Sequence, residues 1–233
     1  MPFVNANGAL QDEVHTLYIK KMRLKIDDEN GSNKYQYLIP PTEWNYDMRR
    51  YMQEVVPGLY LGPYRAAIRS NLHSLIEHGI THIVCVRQDI EANIIKPNFP
   101  DIFKYLVLDI ADTATENIIQ HFPKVKAFID EALNSGGQVL VHGNAGISRS
   151  PALVLAYVME TYGLTPEDAC AMVMQRRYCI NPNVGFMSQL REYEAIYQAQ
   201  KVLGNVQQRS VQDRSKRSIH QLYTDRLEEE SME

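Results

Sequence analysis

Hydrophobic positions recur along this chain at two periods, and each change of period marks an element. Short apolar runs predict strands at Leu59 to Leu61, Thr81 to Val86, Tyr105 to Leu108 and Gln138 to Val141. Between them, Ala66 to His78 reads as a helix stopped by Gly79. Ile118, Phe122, Val125, Ile129 and Leu133 recur at spacings of three and four, which puts them on one helical face that ends at Gly136 and Gly137. The almost unbroken apolar run Ala152 to Met159 predicts a helix buried on most sides, with Pro151 tolerated in its first turn because the missing N–H would be unpaired there anyway. Thr165 is placed to cap a further helix, with Pro166 at its first position and Asp168 at the capping-box acid, running to about Arg177. A last helix is expected from about Val184 to Leu203, and its stripe Phe186, Leu190, Tyr193 and Tyr197 is read as core rather than as a ligand site.

Strand and helix alternate through this region, so an α/β fold is expected. The flanks read differently. Met1 to about Pro41 has no sustained apolar period, and its one candidate for order is a strand around Tyr18 to Ile26. After Gly204 the chain turns polar, through RSVQDRSKRS to LEEESME, and lacks the apolar content to fold alone. The organisation predicted is an N-terminal extension, partly ordered, over 1–43, one domain over 44–204 and a disordered tail over 205–233. The basic cluster Arg214, Lys216 and Arg217 reads either as a nuclear address or docking strip, or as an ordinary solvated face, the reading short clusters usually deserve.

Composition narrows the function classes. At 233 residues the chain suits a single domain with tails, and no apolar run approaches the ~18 residues needed to span a bilayer. The first ten residues carry no charged side chain and no basic-then-apolar leader, so neither a secretory nor a mitochondrial address is supported. The three cysteines, Cys85, Cys170 and Cys179, lack metal-ligand spacing and fit a reducing compartment. They are read as structural. A cytoplasmic and nuclear protein is expected, with no membrane partner, and the net charge of −4 makes no case for nucleic acid.

The chemistry is concentrated at Val139 to Pro151, VLVHGNAGISRSP, which reads as strand, loop, helix. In that arrangement loop N–H groups turn inward, the helix N-terminus adds partial positive charge, and Arg149 can fork two donors onto an oxyanion. The segment resembles the active-site loop of the cysteine-dependent phosphatases, whose pattern is His-Cys, five residues, Arg, then Ser or Thr. His142, Arg149 and Ser150 match it, and Gly143 stands where the nucleophile would be. The likeness extends to GLYLGP (Gly58 to Pro63), GITHIVCV (Gly79 to Val86), YLVLDIADTATENI (Tyr105 to Ile118) and INPNVGF (Ile180 to Phe186), in the order of a dual-specificity phosphatase domain. The glycine, with WNYDMRRYMQEVVPGL (Trp44 to Leu59) and DIEANIIKPNF (Asp89 to Phe99), is most similar to the serine/threonine/tyrosine-interacting pseudophosphatases of that family.

The resemblance implies a cysteine-phosphatase-like fold, a central mixed sheet flanked by helices on both faces. It implies a phosphate-binding loop made by Gly143, Asn144, Ala145, Gly146, Ile147, Ser148 and Arg149, supported by His142 and Ser150, with Asp112 at the general-acid position. Beside that role, Asp112 also reads as a solvated loop acid or local cap. His142 is expected to hold the loop rather than titrate. Ser148 and Ser150 are the candidates for a substitute nucleophile, which would need an adjacent base; a displaced cysteine is the remaining alternative. No metal or cofactor is called for. The partners implied are phosphorylated proteins, MAP kinases among them, and an F-box ubiquitin-ligase subunit; a monomer is expected.

Overall fold

The computed structural model describes residues 43–200 in full and the backbone of residues 24–27 and 33–36. The chain divides into two units, Met1–Leu190 and Arg191–Glu233. In the first, a hairpin pairs β1 (Leu24–Asp27) antiparallel with β2 (Asn33–Gln36) as a sheet of its own. Of the expected strand, Leu24 to Ile26 fall in β1, and the earlier part, Tyr18 to Arg23, lies outside the described residues, as does the tail 205–233. The main sheet has five strands: β3 (Gln53–Val56), β4 (Leu59–Pro63), β5 (Ile80–Arg87), β6 (Lys104–Asp109) and β7 (Gln138–Gly143), in the order β3-β4-β7-β5-β6. Only β3 runs antiparallel to its neighbour, so the sheet is mixed.

Its two faces follow from the period of two along each strand. Tyr60, Ile83 and Leu140 are register neighbours on one face, and they join Leu75 of helix α1 (Leu72–Glu77), Ala66, Ala67, Phe99 and Phe103 in one buried cluster. Leu59, Leu61, Val84, Val86, Val139 and Val141 are buried on the other. Helix α2 (Phe122–Asn134) packs there on β5 and β7, and helix α3 (Arg149–Tyr162) packs on β4, β7 and α2. Ten consecutive residues of α3, Ser150 to Met159, are buried, as the unbroken apolar run predicts. Helix α4 (Pro166–Met174) follows, capped by the Thr165 oxygen accepting from the Asp168 N–H at 3.1 Å. Residues 184–190 open helix α5, with Phe186 and Leu190 buried. In the second unit, 191–200 are helical, and the Tyr193 and Tyr197 rings lie 5.6 Å apart. No helix among the described residues is long and apolar enough to cross a membrane.

Two expectations are corrected, and one strand had gone unread. Ala66 to His78 is not one helix but two 3-10 turns, Tyr64–Ala67 and Arg69–Asn71, before the short α1. Side-chain amides break it: Asn71 donates to the Arg65 carbonyl at 2.7 Å and Asn98 to the Ala67 carbonyl at 2.8 Å, taking acceptors that a continuous helix would use. Strand β3 carried no legible signal, because a bulge between Glu54 and Val56 buries Val55 and Val56 together and destroys the alternation. The helix expected to reach Arg177 ends at Met174, and the turn that follows lets Arg177 point back into the fold.

Candidate anion-binding site

Strand β7 ends at Gly143 and α3 begins at Arg149, so the intervening loop sits at the carboxyl ends of the parallel strands, where α/β sheets bind ligands. Its shape is set by its carbonyls. The Asn144 carbonyl accepts from the Tyr64 N–H at 3.0 Å, those of Ala145 and Gly146 each accept from Arg177 at 3.0 Å, and that of Ile147 accepts from the Asn181 N–H at 2.7 Å. The Ser148 carbonyl accepts from the Ala152 N–H at 3.0 Å inside α3. Across a planar trans peptide the next residue's N–H points opposite to the carbonyl. Five carbonyls turned outward therefore turn five N–H groups, 145 to 149, the other way. Among the described residues none of those five donates to a protein acceptor. With the N-terminus of the fourteen-residue α3 behind them, they form a concave donor nest with partial positive charge.

Gly146 is indispensable to this path. Its φ is +67°, and a Cβ there would lie 2.4 Å from the Gly62 carbonyl oxygen. Gly143 is different: its φ is not in the left-handed region, and a Cβ would meet Ser150 Oγ at 3.2 Å and the Val86 carbonyl at 3.5 Å. A side chain fits at 143 with a shift of a few tenths of an ångström by a hydroxyl. The glycine is a chemical choice, not a conformational need.

Arg177 went unnoticed in the sequence, where it looks like one more cation at a helix end. It is fully buried, and all five of its N–H donors are used: Nε on Gly146, Nη1 on the Tyr51 carbonyl and Gln53 Oε1, and Nη2 on the Arg49 and Ala145 carbonyls. All these acceptors are neutral, and burial pulls its pKa down from the usual value. It braces the loop from behind, its donors spent on carbonyls.

Arg149 departs from the expectation. Its guanidinium fork grips Glu91, Nη1 to Oε2 at 2.5 Å and Nη2 to Oε1 at 3.1 Å, and Nη1 also reaches the Ile110 carbonyl at 3.2 Å. The hydrogen bond from Arg149 is the main reason the Glu91 carboxyl lies below its ordinary pKa. Glu91 belongs to the DIEANIIKPNF segment, but nothing in that segment singles it out. Arg149 Nε stands 3.9 Å from Asp112 Oδ2. Asp112 is neither free nor a local cap: its Oδ1 accepts from Ser148 Oγ at 2.7 Å and from the Asn183 side chain at 2.9 Å. The Asn183 N–H donates in turn to Ser148 Oγ at 3.1 Å, and Asn183 Oδ1 caps helix α5 through the Phe186 N–H. The acid-bearing loop, the nest and the start of α5 are thus tied by one network.

His142 is wholly buried, and desolvation lowers its pKa to about 4, so it is neutral at pH 7. Its Nδ1 lies 3.3 Å from the Gly143 carbonyl, which can only accept, so Nδ1 carries the proton; Nε2 has no partner. Ser150 is buried with its hydroxyl unpartnered, so no base touches it; Ser148 does touch a carboxylate. Cys85 is buried in β5 with its thiol pushed up to about 11 by desolvation, and Cys170 is raised for the same reason.

A donor nest between a parallel strand and a helix, braced by one arginine and bordered by another, defines the phosphatase-type α/β class. The chain belongs to the dual-specificity phosphatase family, whose catalytic-domain model matches residues 59–196. Within it, the chain is 66% identical over 157 residues to the serine/threonine/tyrosine-interacting protein of Mus musculus, across 67% of this chain and 70% of that protein. The crystal structure of the human tyrosine phosphatase-like serine/threonine/tyrosine-interacting protein superposes with a TM-score of 0.63 at 65% identity, covering 64% of this chain and 98% of that one. That of a mouse putative dual-specificity phosphatase, complexed with zinc tungstate, superposes with a TM-score of 0.57 at 30% identity, covering 73% and 98%.

Proposed function

We propose that this protein is a catalytically inactive dual-specificity-phosphatase-like protein that holds phosphorylated serine, threonine or tyrosine residues of signalling proteins without hydrolysing them. The observation that carries this is the pairing of five outward-pinned carbonyls with a glycine at position 143: a complete set of oxyanion donors and no thiol to attack phosphorus. Neither serine replaces the thiol well. Ser150 has no base in contact, and Ser148 is held by Asp112 and the Asn183 N–H together. The mouse neighbour is complexed with zinc tungstate, and tungstate is a tetrahedral oxyanion, which is in keeping with an oxyanion nest on this fold.

Bound in this way, a phosphoprotein is shielded from active phosphatases or anchored, in the cytoplasm and nucleus. MAP kinases are the partner class suggested by the family resemblance. A second reading, a phosphate-independent scaffold that sequesters a partner such as an F-box subunit, draws support from the Arg149 fork, already filled by Glu91. Calorimetric titration of a phosphotyrosine peptide into wild type and Arg149→Met separates the two. Binding lost in the variant supports phosphate recognition, while no binding by either, in protein that still captures its partner, supports the scaffold.

A further inference from the structure

Ten large hydrophobic side chains stand exposed among the described residues, and the three most exposed are Ile90 at 83%, Val184 at 81% and Ile94 at 71%. Single exposed hydrophobes are ordinary on a protein surface. These three are not scattered. Ile90 precedes Glu91 and Ile94 follows three residues after it, and Glu91 is the carboxylate gripped by Arg149, the last donor of the nest. Val184 follows Asn183, whose N–H and side chain bind Ser148 and Asp112.

Both segments are held still. Residues 88 to 95 form consecutive turns, with N–H bonds from Glu91 to Gln88, Ala92 to Asp89, and Ile94 and Ile95 to Glu91, and Ile95 is buried as an anchor. Val184 opens a helix whose cap is Asn183 itself. Side chains fixed before binding lose little freedom on contact. The ionic groups beside them balance, Asp89, Glu91 and Asp112 against Arg87, Lys96 and Arg149, so acidic neighbours of a bound phosphate are disfavoured by the desolvation of a carboxylate against these apolar side chains.

We propose that Ile90, Ile94 and Val184 form a specificity rim that selects phosphorylated segments of other proteins carrying apolar residues beside the phosphorylated side chain, and rejects acidic ones. This rests on the phosphate-binding reading of the nest and adds to it the sequence class the nest accepts. The occupant is set by continuity with the nest: a phosphate seated on the 145 to 149 N–H groups brings its own flanking residues against these three side chains.

The test uses inorganic phosphate and two phosphotyrosine peptides, identical except for leucine or aspartate on both sides of the phosphotyrosine. Each is titrated into the full chain and into the Ile90→Ser/Val184→Ser variant. Wild type is expected to favour the leucine-flanked peptide at least tenfold, as partial burial of one such side chain supplies. The variant should lose that preference while binding inorganic phosphate unchanged. Equal affinity of wild type for both peptides, or undiminished discrimination by the variant, overturns the rim while leaving the nest intact. Failure of wild type to bind phosphate or either peptide removes the nest and the rim together. A concentration-dependent sedimentation coefficient that the variant abolishes would instead assign these residues to a second copy of the chain.

Discussion

Placing cysteine at position 143 should weaken phosphate binding while supplying a nucleophile, and the structure sets the size of the effect. The backbone at 143 needs no left-handed conformation, and a Cβ meets only Ser150 Oγ closely, at 3.2 Å. The thiol would then sit among the 145 to 149 N–H groups and the α3 N-terminus, with the unpartnered Ser150 hydroxyl free to donate to it. Such surroundings favour the thiolate. A thiolate and a phosphate charge ~4 Å apart repel by about 4 kcal/mol at an effective dielectric near 20, and by about 2 kcal/mol if solvent halves that, roughly a thirtyfold loss of affinity. Stiffening the loop by removing a glycine acts the other way, by about 0.5 to 1 kcal/mol, and does not cancel it. Gly143→Ser carries the same Cβ contact and the same stiffening without the charge. Calorimetry of a phosphotyrosine peptide at pH 7.5 should place Gly143→Ser about two- to fivefold tighter than wild type and Gly143→Cys some thirtyfold weaker than Gly143→Ser, the gap between the two variants closing as the pH falls and the thiol protonates. Equal affinities for the serine and cysteine variants would refute the electrostatic account of the glycine. The cysteine variant should also hydrolyse an aryl phosphate slowly, since Asp112 must leave Ser148 and Asn183 to act as an acid.

Arg177→Met should destabilise the protein by about 3 kcal/mol, because it leaves the buried Gly146 carbonyl and the part-buried acceptors of Arg49, Tyr51, Gln53 and Ala145 without their shared donor; urea unfolding reads this, and Arg177→Lys, with three donors, should recover only part. Stability should fall as the pH drops from 6.5 towards 4. His142 has its pKa lowered to about 4 in the fold, so the unfolded chain takes up this proton first, a loss of up to about 3 kcal/mol. His82 and His121, also lowered by burial, add in the same direction, so the His142 share is read from a flatter slope in His142→Phe over that window. Below it, protonation of Glu91, held low by Arg149, removes the pair that fixes the β5–β6 connection to the nest.

Much of this molecule is written locally. The core strands and the helices with long apolar stripes declare themselves because burial imposes one period on each: Ile118, Phe122, Val125 and Ile129 are all buried where their spacing puts them. The loop is legible because the glycines, Arg149 and Ser150 lie within a few residues of one another. Where the reading failed, a side-chain hydrogen bond or a strand irregularity had intervened that no hydrophobic period records. Asn98 and Asn71 cut the helix expected from Ala66, and a bulge hid β3.

By itself, then, the sequence determined the alternation of strand and helix, the strand-loop-helix position of the candidate anion site, and the glycine at 143 within it, all properties of neighbours along the chain. Tertiary structure alone decided that Arg177, not Arg149, pins the loop carbonyls, that the Arg149 fork is filled by Glu91, and that Asp112 is tied to Ser148 and Asn183. The physical reason is that a guanidinium or carboxylate takes its role from whichever partners the fold brings within about 3 Å, and here those partners lie 31 to 128 residues away in the chain.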